Sequence, residues 1–414
     1  MKPNVHMTPE IALIKPTIPV CTLSKQAVPV CTALRGGKAG TLCLLVGIAI
    51  LLIALSPRSA LAQEAIWNTY KELFVSDAGR VVDTGNNDVS HSESQGYGLI
   101  LAEANNDRET FYRIWNWTKQ NLWKRNDHLF AWRWENNSPG DHVPDKNNAT
   151  DGDLLIAWGL ARAGSAWGDP GLQDAAREIA QDIRQKMLRP SRYGPVLLPG
   201  EYGFERADGI IINLSYWVFP AFRELAKIDP SPVWQLLEQS GLKLVEAARF
   251  SPLGLPPEWL LVGPASLGLP EGFEAVYGYN AVRVPLYMAW AGIEAADYYA
   301  SFRKLSWYAL SPDRTPVPAK INLPSGNPVN ILSLDKVEPA LPGMLSIYKL
   351  ISGGGNLDPS ERPPYGPVSS GESYYSVSLG LLANCASVEW RKNRLDNGGI
   401  FAFGSAPFWG STGG

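Results

Sequence analysis

Residues 147–158 read Asn-Asn-Ala-Thr-Asp-Gly-Asp-Leu-Leu-Ile-Ala-Trp, and they place two acids at the start of a long helical pattern. Apolar residues recur at steps of three and four as far as Trp167, which predicts an amphipathic helix packed on a core. Thr150 or Asp151 is expected to cap this helix, because both side chains accept hydrogen bonds at a helix N-terminus. Their position at the helix N-terminus would place Asp151 and Asp153 at one rim of the domain. The alternative is that the acids only cap the helix.

A second stretch, residues 90–98, reads Ser-His-Ser-Glu-Ser-Gln-Gly-Tyr-Gly and places one carboxylate, Glu93, among small and polar residues. The glycines allow close approach of another chain or of a sugar. An acid beside aromatic surface can have its pKa raised and then donate a proton. Taken alone, however, a glutamate flanked by serines is typical of a solvated loop.

Most of the chain after residue 62 shows helical periodicity joined by loops rich in Gly and Pro, without the alternation of a β-sandwich. Repeated helices of similar length in one long domain favour an α-helical toroid. Residues 311–337 are expected to include a small hairpin. The predicted helices lie near residues 63–75, 95–105, 108–123, 151–166, 171–188, 214–227, 231–249, 279–299, 338–351 and 374–386.

Residues 1–62 are predicted to be a signal peptide and leader. Residues 41–55 carry no charge, and Ala60-Leu61-Ala62 is a small-x-small cleavage site. The apolar run is short for a membrane span, which takes about 20 residues; an uncleaved anchor is the alternative. We expect residues 63–414 to form one exported domain, periplasmic or secreted, without stable membrane insertion after cleavage.

Composition narrows the class of partner. The whole chain has 37 basic and 40 acidic residues, and without the leader the balance becomes about −8, which argues against nucleic acid and anionic membranes. Three of the four cysteines also fall in the leader. The fourth, Cys385, is expected to be a buried small hydrophobe. No metal-ligand spacing, phosphate loop or Gly-x-Ser-x-Gly elbow is present, so no cofactor and no metal are expected.

The chain resembles glycoside hydrolase family 8 over roughly residues 63–390, because a series of motifs keeps the family's order. The resemblance implies an (α/α)6 barrel, in which an inner ring of six helices lies inside an outer ring and sugar binds across one end. It also implies hydrolysis of internal β-1,4-glucosidic bonds. The motifs lie at residues 92–98, 129–134, 149–153, 213–217, 254–259 and 279–283, with Tyr374-Tyr375 late in the chain.

The resemblance also assigns roles. Glu93 matches the family's proton donor, and Asp151 matches an acid at the cleavage subsite, while Asp153 is expected to support the loop. Many members carry an Asp, the general base, where this chain has Asn280, and an amide is not a useful base. We place the base at Asp208; the alternatives, also on predicted cleft loops, are Glu258 and Asp141.

Several further residues are expected to contact substrate. Arg283, three residues after Asn280, would hold a carboxylate ionised; the alternative is a structural ion pair. Aromatic side chains near the motifs would stack on sugar rings or else pack in the core. These aromatic residues are Tyr97, Trp132, Trp134, Tyr216 and Tyr279.

The leading hypothesis is an inverting endo-β-1,4-glucanase acting on cellulose or cello-oligosaccharides. A link to cellulose synthesis, and a cellulose synthase complex as partner, are implied by the resemblance alone. The missing Asp at Asn280 motivates a second hypothesis, a glucan-binding protein that has lost activity. A third keeps the fold but changes the substrate to chitosan or xylan.

Overall fold

A computed structural model describes residues 63–136, 138, 140–293, 295–309, 316–331, 336–352 and 363–396, all of them within one compact unit, Ser56–Gly414. The predicted leader and the tail after residue 396 lie outside the described residues. Helices dominate the described part. They are α1 (63–74), α2 (Ser92–Ala104), α3 (Arg108–Asn121), α4 (Thr150–Trp167), α5 (Pro170–Lys186), α6 (Phe219–Ile228), α7 (Val233–Ala247), α8 (Arg283–Trp290), α9 (Ala296–Ala309), α10 (Pro342–Ser352) and α11 (Tyr374–Asp396).

Six of these helices form a closed inner ring. Helices α2, α4, α6, α8, α10 and α11 contact one another in that order, and α11 returns to α2. Helix α3 packs on α2, α5 on α4, α7 on α6 and α9 on α10. Helix α1 lies against α11 through Tyr70 and Tyr374, whose ring centroids are 6.3 Å apart. This arrangement is the expected (α/α)6 barrel.

The inner and outer helices differ in how much of their surface is buried, as α5 and α4 show. Outer helix α5 buries one apolar stripe, of which Leu172, Ile179 and Ile183 are members. Helix α4 is buried on nearly all sides from Thr150 to Gly164. It is therefore a core helix rather than the amphipathic one that its spacing predicted.

Short antiparallel strands occupy the loops. The largest sheet has the order β5-β6-β7-β8, and its two central strands pair Ile210 with Val262 and Ile212 with Leu260. The strands are β1 (Ser90–His91), β2 (Arg133–Trp134), β3 (Leu188–Ser191), β4 (Gly194–Leu197), β5 (Glu205–Arg206), β6 (Gly209–Ile212), β7 (Leu260–Val262), β8 (Leu267–Gly268), β9 (Val276–Tyr277), β10 (Ile321–Asn322), β11 (Asn330–Ile331) and β12 (Lys336–Val337).

Several expectations are confirmed and others are wrong. Pairing of β11 with β12 confirms a hairpin in residues 311–337, and Cys385 is buried. The single helix predicted over 279–299 is instead α8 and α9, interrupted where Gly292 adopts φ +70°. The predicted cap of α4 is also wrong, because its N-cap is Ala149, without a side-chain cap. The Thr150 hydroxyl donates to Leu198 O at 2.7 Å instead.

No described helix is both long and apolar enough to span a bilayer.

Candidate active site

The N-termini of α2 and α4 meet, and this meeting brings Glu93 and Asp151 together. Gly152 makes it possible: a Cβ there would lie 2.0 Å from Ser92 Oγ and 2.8 Å from Glu93 N. Backbone approach this close requires glycine. The Gly in the Thr-Asp-Gly-Asp motif therefore sets the distance between the two carboxyl groups.

The start of α2 is fixed from both sides. His91 Nδ1 accepts a hydrogen bond from Ser94 N at 3.0 Å, and the Ser94 hydroxyl accepts one from His91 N at 3.1 Å. This capping box satisfies two N–H groups of the first turn. Strand β1 also pairs with β2, opposing His91 to Arg133. Glu93 thus stands on a rigid helix terminus and not on a solvated loop.

Arg283 joins the carboxyl groups into one cluster. Its Nη1 donates to Glu93 Oε2, to Asp151 Oδ2 at 3.1 Å and to the Tyr97 hydroxyl at 3.1 Å. Its Nη2 donates to Asn280 Oδ1 at 2.7 Å. Asn280 lies in the turn before α8, and Arg283 is the first residue of that helix. The expectation that Arg283 holds a carboxylate agrees with this geometry.

The two acids differ in access and in proton affinity. The Glu93 side chain keeps 16% of its surface exposed, whereas that of Asp151 keeps 2%. Burial, and then the neighbouring Glu93 charge, raise the pKa of Asp151 well above its ordinary value. Burial also acts to raise the pKa of Glu93, but Arg283 and His91 outweigh it and lower that pKa. Each carboxyl group shifts the pKa of the other, so the two titrate as a coupled pair.

Asp153 has a separate, structural role on the buried side of α4. Its two oxygens accept hydrogen bonds from Phe130 N at 2.9 Å and from Asn148 Nδ2 at 2.8 Å. Burial raises its pKa to about 7. The expectation that Asp153 supports the loop is confirmed.

The three acids considered as general base lie in different settings. Asp208 is exposed at the turn between β5 and β6, and within the described part of the chain no hydrogen bond or ion pair joins it to the cluster. Asp141 is exposed and accepts a hydrogen bond from Val143 N at 2.9 Å. Glu258 instead accepts hydrogen bonds from Asn280 N at 2.7 Å and from Asn280 Nδ2 at 3.2 Å. Of these three, Glu258 is the one that the structure joins to the cluster.

Tyr97 is not a stacking surface. Its ring is fully buried, and its hydroxyl lies 3.2 Å from that of Tyr287 as well as bonding to Arg283. A sugar ring cannot reach a fully buried face, so the prediction that Tyr97 stacks on substrate is wrong. Tyr97 instead holds Arg283 in place from within the barrel.

The other predicted aromatic residues are half-buried, which leaves ring surface for a ligand. Burial, and then the Asp151 charge, raise the pKa of the Tyr216 hydroxyl well above its ordinary value. Trp132 donates to Asp145 Oδ2 at 2.8 Å. Trp134 stacks on His142 at a centroid distance of 4.5 Å. Tyr279 donates its hydroxyl proton to Glu338.

Sequence reasoning missed an aromatic group beside Tyr216. The Trp259 ring stacks on Phe204 at 5.7 Å and contacts Phe273 at 5.0 Å, and Tyr216 lies 6.4 Å from it. Only Trp259 belonged to a quoted motif. The positions of the two phenylalanines depend on the β5–β8 sheet, which gave no periodic signal.

Two further tyrosines complete the cluster. The Tyr287 hydroxyl contacts that of Tyr97, and the Tyr375 hydroxyl donates to Tyr279 O. The Tyr374-Tyr375 motif was the available signal for Tyr375. Across the described residues no three His, Cys, Asp or Glu side chains converge in a way that could hold a metal ion. The arrangement is suited to moving protons between oxygen atoms.

Comparison with known proteins agrees with this geometry. The profile described as "Glycosyl hydrolases family 8" matches residues 45–388. A probable endoglucanase of Novacetimonas hansenii is 36% identical over 335 residues, covering 80% of this chain and 92% of that protein.

Solved structures of two endoglucanases are also similar to this chain over most of its length. The endo-β-1,4-glucanase CMCax from Acetobacter xylinum has a TM-score of 0.68 and 35% identity, covering 80% of this chain and all 100% of that one. Endoglucanase Cel10 of Klebsiella pneumoniae, described as a family 8 glycosyl hydrolase, has a TM-score of 0.69 and 33% identity, covering 78% and 99% of the two chains. This chain therefore belongs to glycosyl hydrolase family 8.

Proposed function

We propose that this enzyme is an endo-β-1,4-glucanase that hydrolyses internal bonds of cellulose with inversion at the anomeric carbon. The observation that carries the proposal is the Glu93–Asp151–Arg283 cluster, in which one guanidinium binds two carboxyl groups where the N-termini of α2 and α4 meet. The relatives named endoglucanase support the substrate class.

In the proposed mechanism Glu93 protonates the leaving glycosidic oxygen. Glu93 is the more exposed acid of the pair, so substrate reaches it first, and the proton passes to it from the neighbouring Asp151. Asp151 and Tyr216 then hold the sugar at the cleavage subsite. In an inverting enzyme the base stands about 6.5–9.5 Å from the proton donor, which leaves room for a water on the opposite face. Asp151 shares Arg283 Nη1 with Glu93, so the base is a different carboxylate.

The experiment is release of reducing ends from carboxymethylcellulose by the wild type and by Glu93→Gln. Loss of a general acid typically lowers the rate by about 10²–10⁴-fold, and we expect a loss in that range. Glu109→Gln, which changes an exposed carboxylate on α3, is the matched control and should leave activity unchanged. Activity of Glu93→Gln within a few-fold of wild type would refute the role of Glu93.

A second candidate function is a glucan-binding protein without turnover, and the observation favouring it is the amide at Asn280. Binding of cello-oligosaccharide by the wild type without any new reducing ends would establish it. Parallel assays on chitosan and xylan test whether the same cleft acts on another β-1,4-linked chain.

We also propose that the enzyme acts after export, in the periplasm or outside the cell. Its support is the uncharged run at 41–55 and the Ala60-Leu61-Ala62 cleavage pattern. The proposed link to cellulose synthesis, with a synthase complex as partner, rests on the family resemblance. Cell fractionation followed by N-terminal sequencing of the exported protein tests the export step.

A further inference from the structure

We propose that Glu258 is the general base that takes the proton of the attacking water, in place of the residue at position 280. The inference rests on the proposed hydrolytic function and identifies the second carboxylate that this function needs. It begins from the contacts of Asn280, whose side chain bridges Arg283 on one side and Glu258 on the other.

The Asn280 carboxamide has a single productive orientation. Its Oδ1 accepts from Arg283 Nη2 at 2.7 Å, so its Nδ2 must face Glu258 Oε2, at 3.2 Å. Its backbone N–H donates to Glu258 Oε1 at 2.7 Å. Asn280 thus donates two hydrogen bonds that orient the Glu258 carboxylate. The Asn280 carboxamide and the Arg283 guanidinium link that carboxylate to Glu93. An inverting pair requires room for a water between its two carboxyl groups.

The chain around Glu258 is built to hold it there. Glu258 N donates to Val276 O at 2.9 Å, which ties its loop to strand β9. Gly278 leaves room for the carboxylate, because a Cβ at that position would lie 3.0 Å from Glu258 Oε1. Pro256 and Pro257 restrict the backbone immediately before it. Two segments distant in sequence therefore fix one carboxylate beside the cluster.

Glu258 is also free to accept a water proton. It keeps 9% of its surface exposed, against 2% for the Asp151 side chain. Within the described part of the chain its hydrogen bonds come from neutral N–H groups, and no Lys or Arg forms an ion pair with it. Each carboxylate oxygen has two lone pairs, so one on each oxygen is left for water. Asp208 and Asp141, by contrast, lie on exposed turns.

The step balances without any further reactant. A lone pair of the water oxygen forms the new bond to C1 as the C1–O bond to the leaving sugar breaks. The proton of Glu93 goes to the leaving oxygen, and a water proton goes to Glu258. Solvent then returns that proton to the Glu93–Asp151 pair. The products are two shorter glucans, one with an inverted anomeric hydroxyl.

The test compares Glu258→Gln and Glu258→Ala with wild type on cellopentaose, with and without sodium azide. Azide needs no base, so in Glu258→Ala it should attack C1 and release a glycosyl azide of inverted configuration. We expect kcat to fall by about 10²–10⁴-fold in both variants, and azide to restore activity in Glu258→Ala. Cellopentaose binding measured by calorimetry should persist. Glu109→Gln, at an exposed carboxylate on α3, is the control and should leave kcat unchanged. Asp208→Asn and Glu338→Gln, whose carboxylate contacts Tyr279, test the two alternative carboxylates.

The outcomes separate this inference from the proposed function. A wild type that releases no product refutes the proposed function itself. An active wild type whose Glu258 variants stay within about tenfold of it would overturn the assignment of the base. So would a folded Glu258→Ala variant that binds cellopentaose but is not rescued by azide, because that result means that Glu258 only positions Asn280. Azide rescue of Asp208→Asn or Glu338→Gln instead would transfer the role to that residue.

Discussion

Replacing Gly152 by Ala should move Glu93 and Asp151 apart. The substitution therefore tests whether catalysis depends on the distance between these two acids. The added Cβ would lie 2.0 Å from Ser92 Oγ, 2.6 Å from Ser92 Cβ and 2.8 Å from Glu93 N. Ordinary contacts between such atoms are about 3.5–4.0 Å, so the N-termini of α2 and α4 must move apart by about 1 Å. The displacement falls on Glu93 itself.

Two magnitudes follow from that displacement. Overpacking of a core typically costs about 1–3 kcal/mol of folding stability. A misplacement of about 1 Å at a catalytic group can cost about 10²-fold in rate. We therefore expect Gly152→Ala to fold, to unfold at lower urea concentration than wild type, and to lose about 10²-fold in kcat on cellopentaose.

The control lies on the same helix pair but away from the acids. A Cβ at Gly159 would meet Leu99 Cβ at 2.9 Å, so Gly159→Ala should lower stability with little effect on kcat. Ser92→Gly removes two of the three clashing atoms and should partly restore Gly152→Ala. If Gly152→Ala keeps wild-type kcat, or if Gly159→Ala loses as much activity, then the spacing argument is wrong.

Two further substitutions test the electrostatics of the site. Asn280→Asp would place a carboxylate oxygen where Asn280 Nδ2 now stands, 3.2 Å from Glu258 Oε2. Two carboxylates this close do not both ionise. We therefore expect the acidic limb of the pH–rate profile to move to higher pH, without a gain in kcat at neutral pH. A large gain in kcat would mean that the wild type lacks a base. Asp153→Asn tests the buried acid whose pKa burial raises from 3.8 to about 7. The folded state binds the Asp153 proton more tightly than the unfolded state does. The resulting stabilisation of the folded state is complete below pH 4 and is lost as the pH rises through 7. The loss in the free energy of unfolding is on the order of 4 kcal/mol at most. Urea unfolding between pH 4 and 8 should therefore show a flatter pH dependence in Asp153→Asn, and an unchanged slope would contradict the assignment.

The sequence predicted those parts of the site that depend on local pattern. Glu93 and Asp151 each belong to a compact motif beside a helix start, and the helical periodicity around them predicted an all-α fold. The α4 cap was misjudged because Thr150 and Asp151 are both good N-cap residues by type, whereas the Thr150 hydroxyl bonds Leu198 O, a contact with a distant segment.

Other features depend on contacts between distant residues. Tyr97 carries a face suitable for stacking, and only the packing of the barrel shows that this face is buried. Asp208 and Glu258 both lay on predicted loops. Nothing local shows that Glu258 meets Asn280, which lies 22 residues further along the chain. The short β5–β8 strands bring Phe204 beside Trp259 in the same way.

The most direct test of the account is the configuration of the first product. Proton NMR of cellopentaose hydrolysis, recorded before mutarotation, distinguishes the α from the β anomer of the new reducing end. Attack by a water activated by Glu258, opposite the leaving group protonated by Glu93, predicts that the α anomer forms first. If the β anomer forms first, the bond is cleaved with retention and the proposed pair of carboxylates is wrong.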